Sequence, residues 1–375
     1  MAKSFVFDDD SYFDNDASSS VFGYLFQAEA ATWLFLNNFE ITKSMKVETE
    51  KQDIELLFKD NTRLYAQAKA QQSYSTSPNS YSKLASALSS LSRTKKNKND
   101  KILYISNLQD PLNSVNDTQI RFQEIAYKSL SPKQKETVDK CLKSIIKKLN
   151  KDIYNNPSSS EDKTKLLDCV KNIDLDSLYF CSIYRCSEMR EVDIIDNIKL
   201  KLSSLFPRDE FNVLKVFENW YDLALVSESS VQDNSSKKIT INDFSLCLAN
   251  SSLRLEQFDY NGLVDKNIIH EISSASRERV EELIDNKIFD FKNDNWLVFN
   301  SIINQYDEFK KHKPKLYDRD FIEENWSQFK DKLTLADEED DVREVLTRYY
   351  LYRFLNKEST IKRIKNKAGI DNENI

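Results

Sequence analysis

The sequence predicts an α/β domain followed by a mostly α-helical one, and three stretches carry that reading. Residues 52–58 and 63–69, joined by a short polar break, have the alternation of a β-hairpin. Residues 101–107 (Lys-Ile-Leu-Tyr-Ile-Ser-Asn) form an apolar run, the signature of a buried strand returning to the same sheet. Residues 227–238 are polar and serine-rich, and beyond them the apolar spacing turns helical. The domains are therefore set at 1–226, with a motif core over 20–110, and at 239–375.

The elements follow in order. The opening residues are acidic, with Asp8, Asp9, Asp10, Asp14 and Asp16, and residues 1–20 read as irregular. Residues 22–39 form a strongly apolar helix, with Leu25, Ala28, Trp33 and Leu36 among its buried positions. Val47 and Glu48 lead into the hairpin, and Asp60-Asn61 supplies its turn, because both side chains tolerate or template tight backbone bends. Within the serine-rich stretch that follows, Leu84, Ala87, Leu88 and Leu91 recur at helical spacing. Residues 116–151 read as helical and lysine-rich, with a boundary at Ser131-Pro132. Residues 155–162 are a polar loop, 177–185 a further strand, and 188–205 and 211–225 helices. After residue 238, helices are expected over 269–285, 296–311, 320–333 and 339–355, and the basic run 362–367 is expected to fray.

Composition excludes several chemistries. The 375 residues contain three glycines, Gly23, Gly262 and Gly369, too dispersed for a phosphate-cradling loop or a dinucleotide fingerprint. The two histidines, His270 and His312, lie far from the hairpin in sequence, which argues against a histidine triad or a histidine-rich zinc site. Five scattered cysteines without a Cys-x-x-Cys pair suit a reducing cytoplasm, where the chain is expected to work. No apolar run approaches membrane-spanning length, so no membrane partner is expected.

The net charge of −7 argues at first against nucleic acid, but its distribution does not. Between Asn61 and Lys101 the basic residues are Arg63, Lys69, Lys83, Arg93, Lys95, Lys96, Lys98 and Lys101, against one acid, Asp100. Arg93, Lys95, Lys96 and Lys98 are the expected contacts to a DNA backbone. The lysines of residues 133–151 read more simply as a solvated helix face, and the many aromatic residues after 238 as core.

The hairpin carries the chemistry. Strand side chains alternate faces, so Gln67 and Lys69 point one way while Leu64, Ala66, Ala68 and Ala70 point the other, into a core. Asp53 stands at the beginning of the facing strand. Carboxylates and an amide oxygen suit a hard cation such as Mg²⁺ or Mn²⁺, which polarises a phosphate and acidifies a bound water. A lysine beside them stabilises developing negative charge. Because an amide is a weak ligand, a second acid is expected, either Glu48 just before the strand or Glu29 on the preceding helix.

These residues resemble the PD-(D/E)xK nuclease superfamily in its Gln-x-Lys variant. Gly23-Tyr-Leu-Phe-Gln27 with Ala30-Ala31, Val47-Glu48 with Asp53-Ile54, and Tyr65-Ala-Gln67-Ala-Lys69 together look like one particular branch. That branch is the double-stranded DNA endonuclease domain of CD-NTase-associated anti-phage effectors, found also in Lamassu and other ABC-three-component defence systems. The resemblance covers residues 20–225 and is sharpest over 23–69. It implies a restriction-endonuclease-like N-terminal domain with Asp53, Gln67, Lys69 and Glu48 as the catalytic set. Asp53, Gln67 and Glu48 would hold Mg²⁺ or Mn²⁺, with Gln27 and Glu29 in support. Ala68 stands where the family often has Val or Ile. The short, helical and aromatic-rich region after 238 looks more like the partner-interaction region of a Lamassu nuclease subunit than a second-messenger sensor. The expected partners are double-stranded DNA, an SMC-like ATPase and a third small subunit, with activation on release and homo-oligomerisation. The alternatives are a non-catalytic adaptor with a decayed nuclease fold, or the nuclease effector of a cyclic-nucleotide-triggered system.

Overall fold

The computed structural model describes residues 16–49, 52–70, 79–94, 96–108, 111–112, 120–155, 160–183, 190–209, 211–229, 238–253, 258–285 and 295–370. Asp8, Asp9, Asp10, Asp14, Lys95 and Cys186 lie outside them. The chain divides into two units, Met1–Lys201 with Phe217–Ile241, and Leu202–Val216 with Asn242–Ile375. This division does not follow a single cut between residues 226 and 239. Ile239 and Thr240 pair with a strand of the first unit, which keeps the chain up to Ile241 there.

The first unit is built on a seven-stranded mixed sheet. Its strands are β1 (Thr42–Val47), β2 (Ile54–Phe58), β3 (Arg63–Lys69), β4 (Lys101–Ser106), β5 (Ile125–Ala126), β6 (Leu178–Ser182) and β7 (Ile239–Thr240). Their spatial order is β5-β6-β4-β3-β2-β1-β7. The β2–β3 pair is the expected antiparallel hairpin, with Glu55 opposite Tyr65 and Leu56 opposite Leu64. Its turn uses the expected chemistry: Asp60 Oδ1 accepts the Thr62 N–H at 2.9 Å, and Asn61 adopts φ 67°, a left-handed conformation that Asn tolerates. β4 pairs parallel with both β3 and β6, so the strand at 178–182 does join the same sheet.

Helices cover both faces of these central strands. α1 (Asp16–Asn37) starts earlier than the apolar run suggested, and every residue from Phe26 to Leu36 is buried. A helix buried all round, here with Gln27, Glu29 and Thr32 among its apolar residues, belongs inside a core rather than on a surface. Here α1 packs against β1, β2 and β3, and its Phe35 ring lies 6.4 Å from Trp220. The opposite face carries α2 (Asn79–Ser92), α3 (Pro132–Asn155) and α4 (Ser160–Lys171). Leu84, Leu88, Leu91, Val138, Leu142 and Leu167 from these helices form one buried cluster with Tyr104 and Phe180, and Tyr65 packs against it. Each such side chain contributes about 1.5–3 kcal/mol on burial.

Two expectations fail in this unit. Over the described residues 120–131 the expected helix is absent: Arg121 bridges Ser182 in parallel, Phe122 turns at φ 50°, Ile125–Ala126 pair antiparallel with β6, and a single 3₁₀ turn spans Tyr127–Ser129. Pro132 opens α3 at the expected Ser131-Pro132 boundary, as proline favours the first helical turn. Asp53 lies immediately before β2 rather than on it.

Two helices run across the division, α5 (Arg190–Leu205) and α6 (Val213–Ser229). The second unit adds α7 (Ile241–Leu253), α8 (Tyr260–Asp265), α9 (Ser274–Asp285), α10 (Asn295–His312), α11 (Asp318–Leu333), α12 (Asp340–Asn356) and α13 (Glu358–Ala368). α12 is its central element, with Val342, Val345, Leu346, Leu351 and Phe354 buried. Two arginines of α12 are 2% exposed: Arg348 reaches Glu323 and Glu344 at 2.7 Å each, and Arg353 donates to the Leu253 carbonyl at 2.6 and 3.0 Å. The aromatic residues go largely inward, as Trp296, Phe299, Tyr306, Phe321 and Phe329 are buried while Tyr317 is exposed. The basic run 362–367 does not fray. It lies within α13, where Ile361 and Ile364 are buried and Gly369 ends the helix at φ 68°.

Candidate active site

The site grows from the β1–β2 turn and from β3 facing it. At the β1–β2 connection, the Glu48 N–H donates to the Asp53 carbonyl at 2.7 Å, and Thr49 N–H donates to the Gln52 carbonyl at 2.9 Å. Thr49 Oγ1 also accepts the Gln52 N–H at 3.0 Å. Closing this turn puts Glu48 at φ 51°, a strained conformation for a residue other than Gly, Asn or Asp. The turn sets the Glu48 and Asp53 carboxyls close enough to repel each other.

Asp53 is then fixed from β3. Its Oδ2 accepts the Ala68 backbone N–H at 2.9 Å and lies 3.1 Å from Lys69 Nζ. The Gln67 side chain also hydrogen-bonds the Asp53 carboxyl. Burial nevertheless dominates and pushes the Asp53 carboxyl above its ordinary value, against the Lys69 charge and these hydrogen bonds. Glu48 is pushed up too, first by burial and then by the Asp53 charge. A hydrogen bond from Gln27 and the Lys69 charge offset part of this. Two neighbouring carboxyls that both resist ionisation are an electrostatic demand for positive charge, and Lys69 meets only part of it.

The structure thus brings together Asp53, Gln67, Lys69, Glu48 and Gln27. Gln27 is buried on α1, and its Oε1 has no hydrogen-bond partner. Glu29 is buried on the same helix. Positions two apart on a helix do not share a face, so a helix that aims Gln27 at Glu48 aims Glu29 elsewhere.

Sequence reasoning missed Gln52, which is 3% exposed. Its Oε1 accepts from Gln67 Nε2 at 3.0 Å, and its own Nε2 donates to Thr94 Oγ1 at 2.6 Å and to the Ser90 carbonyl at 3.3 Å. The sequence signal available was a polar residue two positions before a strand; its partners Ser90 on α2 and Thr94 just after it are set only by tertiary packing.

Among the described residues no three His, Cys, Asp or Glu side chains cluster to hold a metal ion. The donors present still fit Mg²⁺, a cation that keeps several waters and is typically bound through one or two carboxylates plus the substrate phosphate. Glu48 and Asp53 are those two, and the unpartnered Gln27 Oε1 beside Glu48 is a further neutral oxygen.

Of the expected DNA contacts, Arg93 and Lys98 are exposed. Lys96 is instead paired with Asp174 Oδ2 at 2.6 Å, and Lys95 lies outside the described residues. Asp100 is 1% exposed, with Oδ1 accepting the Arg63 N–H at 2.8 Å and Oδ2 the Asn97 N–H at 2.7 Å. No helix among the described residues is long and apolar enough to cross a membrane.

No family model matches the sequence, and no curated protein matches it. Among solved structures, the chain is similar to a Cap4 SAVED/CARF-domain containing receptor from Moraxella osloensis. That match has 17% identity and a TM-score of 0.33, covering 61% of this chain and 47% of that one. It is also similar to the Acinetobacter baumannii Cap4 SAVED/CARF-domain containing receptor with the cyclic trinucleotide 3'3'3'-cAAA. Here the identity is 15% and the TM-score 0.31, over 68% of this chain and 50% of that one. The same Acinetobacter receptor in a second structure gives 14% identity and a TM-score of 0.32, over 68% and 52%. The chain spans about half the length of the solved proteins it matches.

Proposed function

We propose that this chain is a metal-dependent DNA endonuclease serving as the effector of an anti-phage defence system. One observation carries the reading: Lys69 Nζ lies 3.1 Å from Asp53 Oδ2, beside a second carboxyl, Glu48, that is held close to Asp53. An exposed polar hairpin has no reason to half-bury a lysine–aspartate pair next to a repelling carboxylate. The element order helix, three strands, helix, strand supports the same nuclease-like reading.

In this reading Asp53 and Glu48, with Gln67, would hold Mg²⁺ or Mn²⁺, which when bound polarises the scissile phosphate and acidifies a water. Lys69 lies with its ammonium against Asp53 and supplies a fixed positive charge where the cleaved phosphate gains negative charge. The Ala68 N–H holds the Asp53 carboxylate in one orientation. Gln27 does the same for Glu48 through its hydrogen bond. Arg93 and Lys98, exposed on the segment after α2, are positioned to meet the DNA backbone without reading bases.

A plasmid-cleavage assay with purified chain and Mg²⁺ tests this. Linear or nicked product that vanishes with chelator and in Lys69→Ala is expected, and chelator-resistant cleavage, or no cleavage under any activating condition, would sink it.

Control is a separate part of the reading. One Asp53/Gln67/Lys69 set serves one strand at a time, so breaking a duplex calls for two copies, most simply by symmetric self-association. The chain is then silent at rest and active on oligomerisation. Its trigger is either release from an SMC-like ATPase and a small third subunit, or a cyclic nucleotide. The Acinetobacter structure above holds a cyclic trinucleotide, and nothing in the comparisons points to the first. Incubating the chain with each of several cyclic trinucleotides and measuring both mass and cleavage decides between them. A resting complex that cuts as fast as the activated one would remove the regulatory part altogether.

A further inference from the structure

We infer that Gln52 is a positioning residue that fixes which end of the Gln67 amide faces the active site. The inference rests on the nuclease reading for its catalytic consequence, but not for its geometry.

A glutamine amide has two ends of nearly equal size, a donor NH2 and an acceptor oxygen, and packing alone does not tell them apart. Here hydrogen-bond polarity does. The Ser90 backbone carbonyl can only accept, so the end of Gln52 that reaches it at 3.3 Å must be Nε2. The other Nε2 hydrogen is directed at Thr94 Oγ1, at 2.6 Å. That leaves Gln52 Oε1, a pure acceptor, facing Gln67 at 3.0 Å, and Gln67 must therefore present its own NH2. The same NH2 also donates to the Asp53 carboxyl, which can only accept when ionised, so the relay turns the donor end of Gln67 toward Asp53 and leaves Oε1 as the end turned away from Gln52. Thr49 completes the arrangement by accepting the Gln52 backbone N–H at 3.0 Å, which holds residue 52 in place at the base of the turn that also carries Glu48. Both glutamines are 3% exposed, so water competes little for these bonds. A main-chain carbonyl of α2 thus sets the orientation of a site side chain through a two-glutamine relay.

The test uses the full chain with ¹⁵N-labelled glutamine, the Gln67 side-chain NH2 signal being identified by its loss in Gln67→Ala. Gln52→Met keeps the length of the side chain and removes both ends of the relay. The Gln67 NH2 protons are expected to exchange with solvent about ten-fold faster or more, because a held buried amide becomes free to turn. Gln52→Glu keeps an acceptor for Gln67 and is expected to restore most of the protection. If Gln52→Met does not fold, Gln52→Asn, one methylene too short to reach both Ser90 and Gln67, carries the same expectation. In plasmid cleavage, Gln52→Met is expected to lower kcat by about 10–100-fold with KM for DNA unchanged, as for residues that orient metal ligands. Unchanged Gln67 exchange in the folded variant overturns the relay, whatever cleavage does. A wild-type chain whose Gln67 amide is protected but which never cleaves DNA overturns the nuclease reading and leaves the relay standing.

Discussion

Lys69 Nζ lies 3.1 Å from Asp53 Oδ2, the same oxygen that accepts the Ala68 backbone N–H at 2.9 Å. Consecutive residues of β3 thus address one carboxylate oxygen, one with a charge and one with the main chain. The two roles separate by mutation. Lys69→Ala is expected to reduce cleavage at least about a hundred-fold, the usual loss of about 2.7–4 kcal/mol when a fixed charge-stabilising group is removed. Its fold should survive, because the Ala68 bond remains. Cleavage at the wild-type rate by the folded variant would remove Lys69 from the mechanism.

Asp53 can be divided in the same way. Asp53→Asn keeps an oxygen for the Ala68 N–H and loses the charge; Asp53→Ala loses both. Both variants should lose cleavage and Mg²⁺ binding. Only the alanine variant should also lose stability, by about 1–3 kcal/mol for a buried donor left unsatisfied. Chemical denaturation distinguishes them, and equal midpoints would show that the Ala68 bond is unimportant to the fold.

The raised carboxyls predict an unusual pH response. Glu48 and Asp53 sit above their ordinary values of 4.5 and 3.8 in the folded chain, so there the folded state binds more protons than the unfolded one. Their effect on stability is most favourable below those ordinary values, and it is lost as pH rises through the raised ones. Glu48→Gln should therefore raise the melting temperature of the metal-free chain near neutral pH and flatten this part of its pH profile. Mg²⁺ binding should weaken over the same window as pH falls, because protons compete for the same oxygens. A Glu48→Gln variant with an unaltered profile would mean that the two carboxyls are not coupled.

A carboxylate in the second unit behaves in the opposite sense. Burial would raise Asp209, but hydrogen bonds from Arg363 and Thr360 outweigh it and hold the carboxyl below its ordinary 3.8. Its stabilisation is complete above that ordinary value and disappears as pH falls through the lowered one. Arg363→Ala is expected to cost about 1.5–3 kcal/mol for hydrogen bonds to a charged group. The loss should fall toward the low end, since the Arg363 side chain is 41% exposed and screened by water. Melting the variant beside wild type at neutral and acidic pH checks both points, as the difference should shrink in acid.

The hairpin was legible because its information is local. A period of two assigned Gln67 and Lys69 to one face, and Asp60-Asn61 marked the turn. The apolar run at residues 101–106 marked a buried strand of the same sheet, while its register and parallel pairing with β3 come from the structure. Burial of the Gln67 face was not legible: Tyr65 shares that face and packs on α2, α3 and α4, so β3 is covered on both sides in the way central parallel strands are. Gln52 escaped for the same reason, since its partners Ser90 and Thr94 are distant in sequence. The boundary at Ser131-Pro132 was legible, since proline opens α3 there, but the described residues 120–131 before it were misread as helix, because their pairing with β6 is set by tertiary contacts. The run 362–367 was misread because its charges drew attention from Ile361 and Ile364, whose spacing buries one side of α13.

Asp100 is the acid that stands alone among the basic residues of its segment, and both of its oxygens are taken by backbone, at Arg63 and at Asn97. It staples the first residue of β3 to the stretch that bears Arg93 and Lys98. A loose basic arm must surrender its own disorder each time it settles on a nucleic acid, which weakens the grip of every charge it carries. A stretch fastened this way has surrendered that disorder once, during folding. In the proposed nuclease its cations would then meet a phosphate backbone already at a set distance from the strand that ends in Lys69.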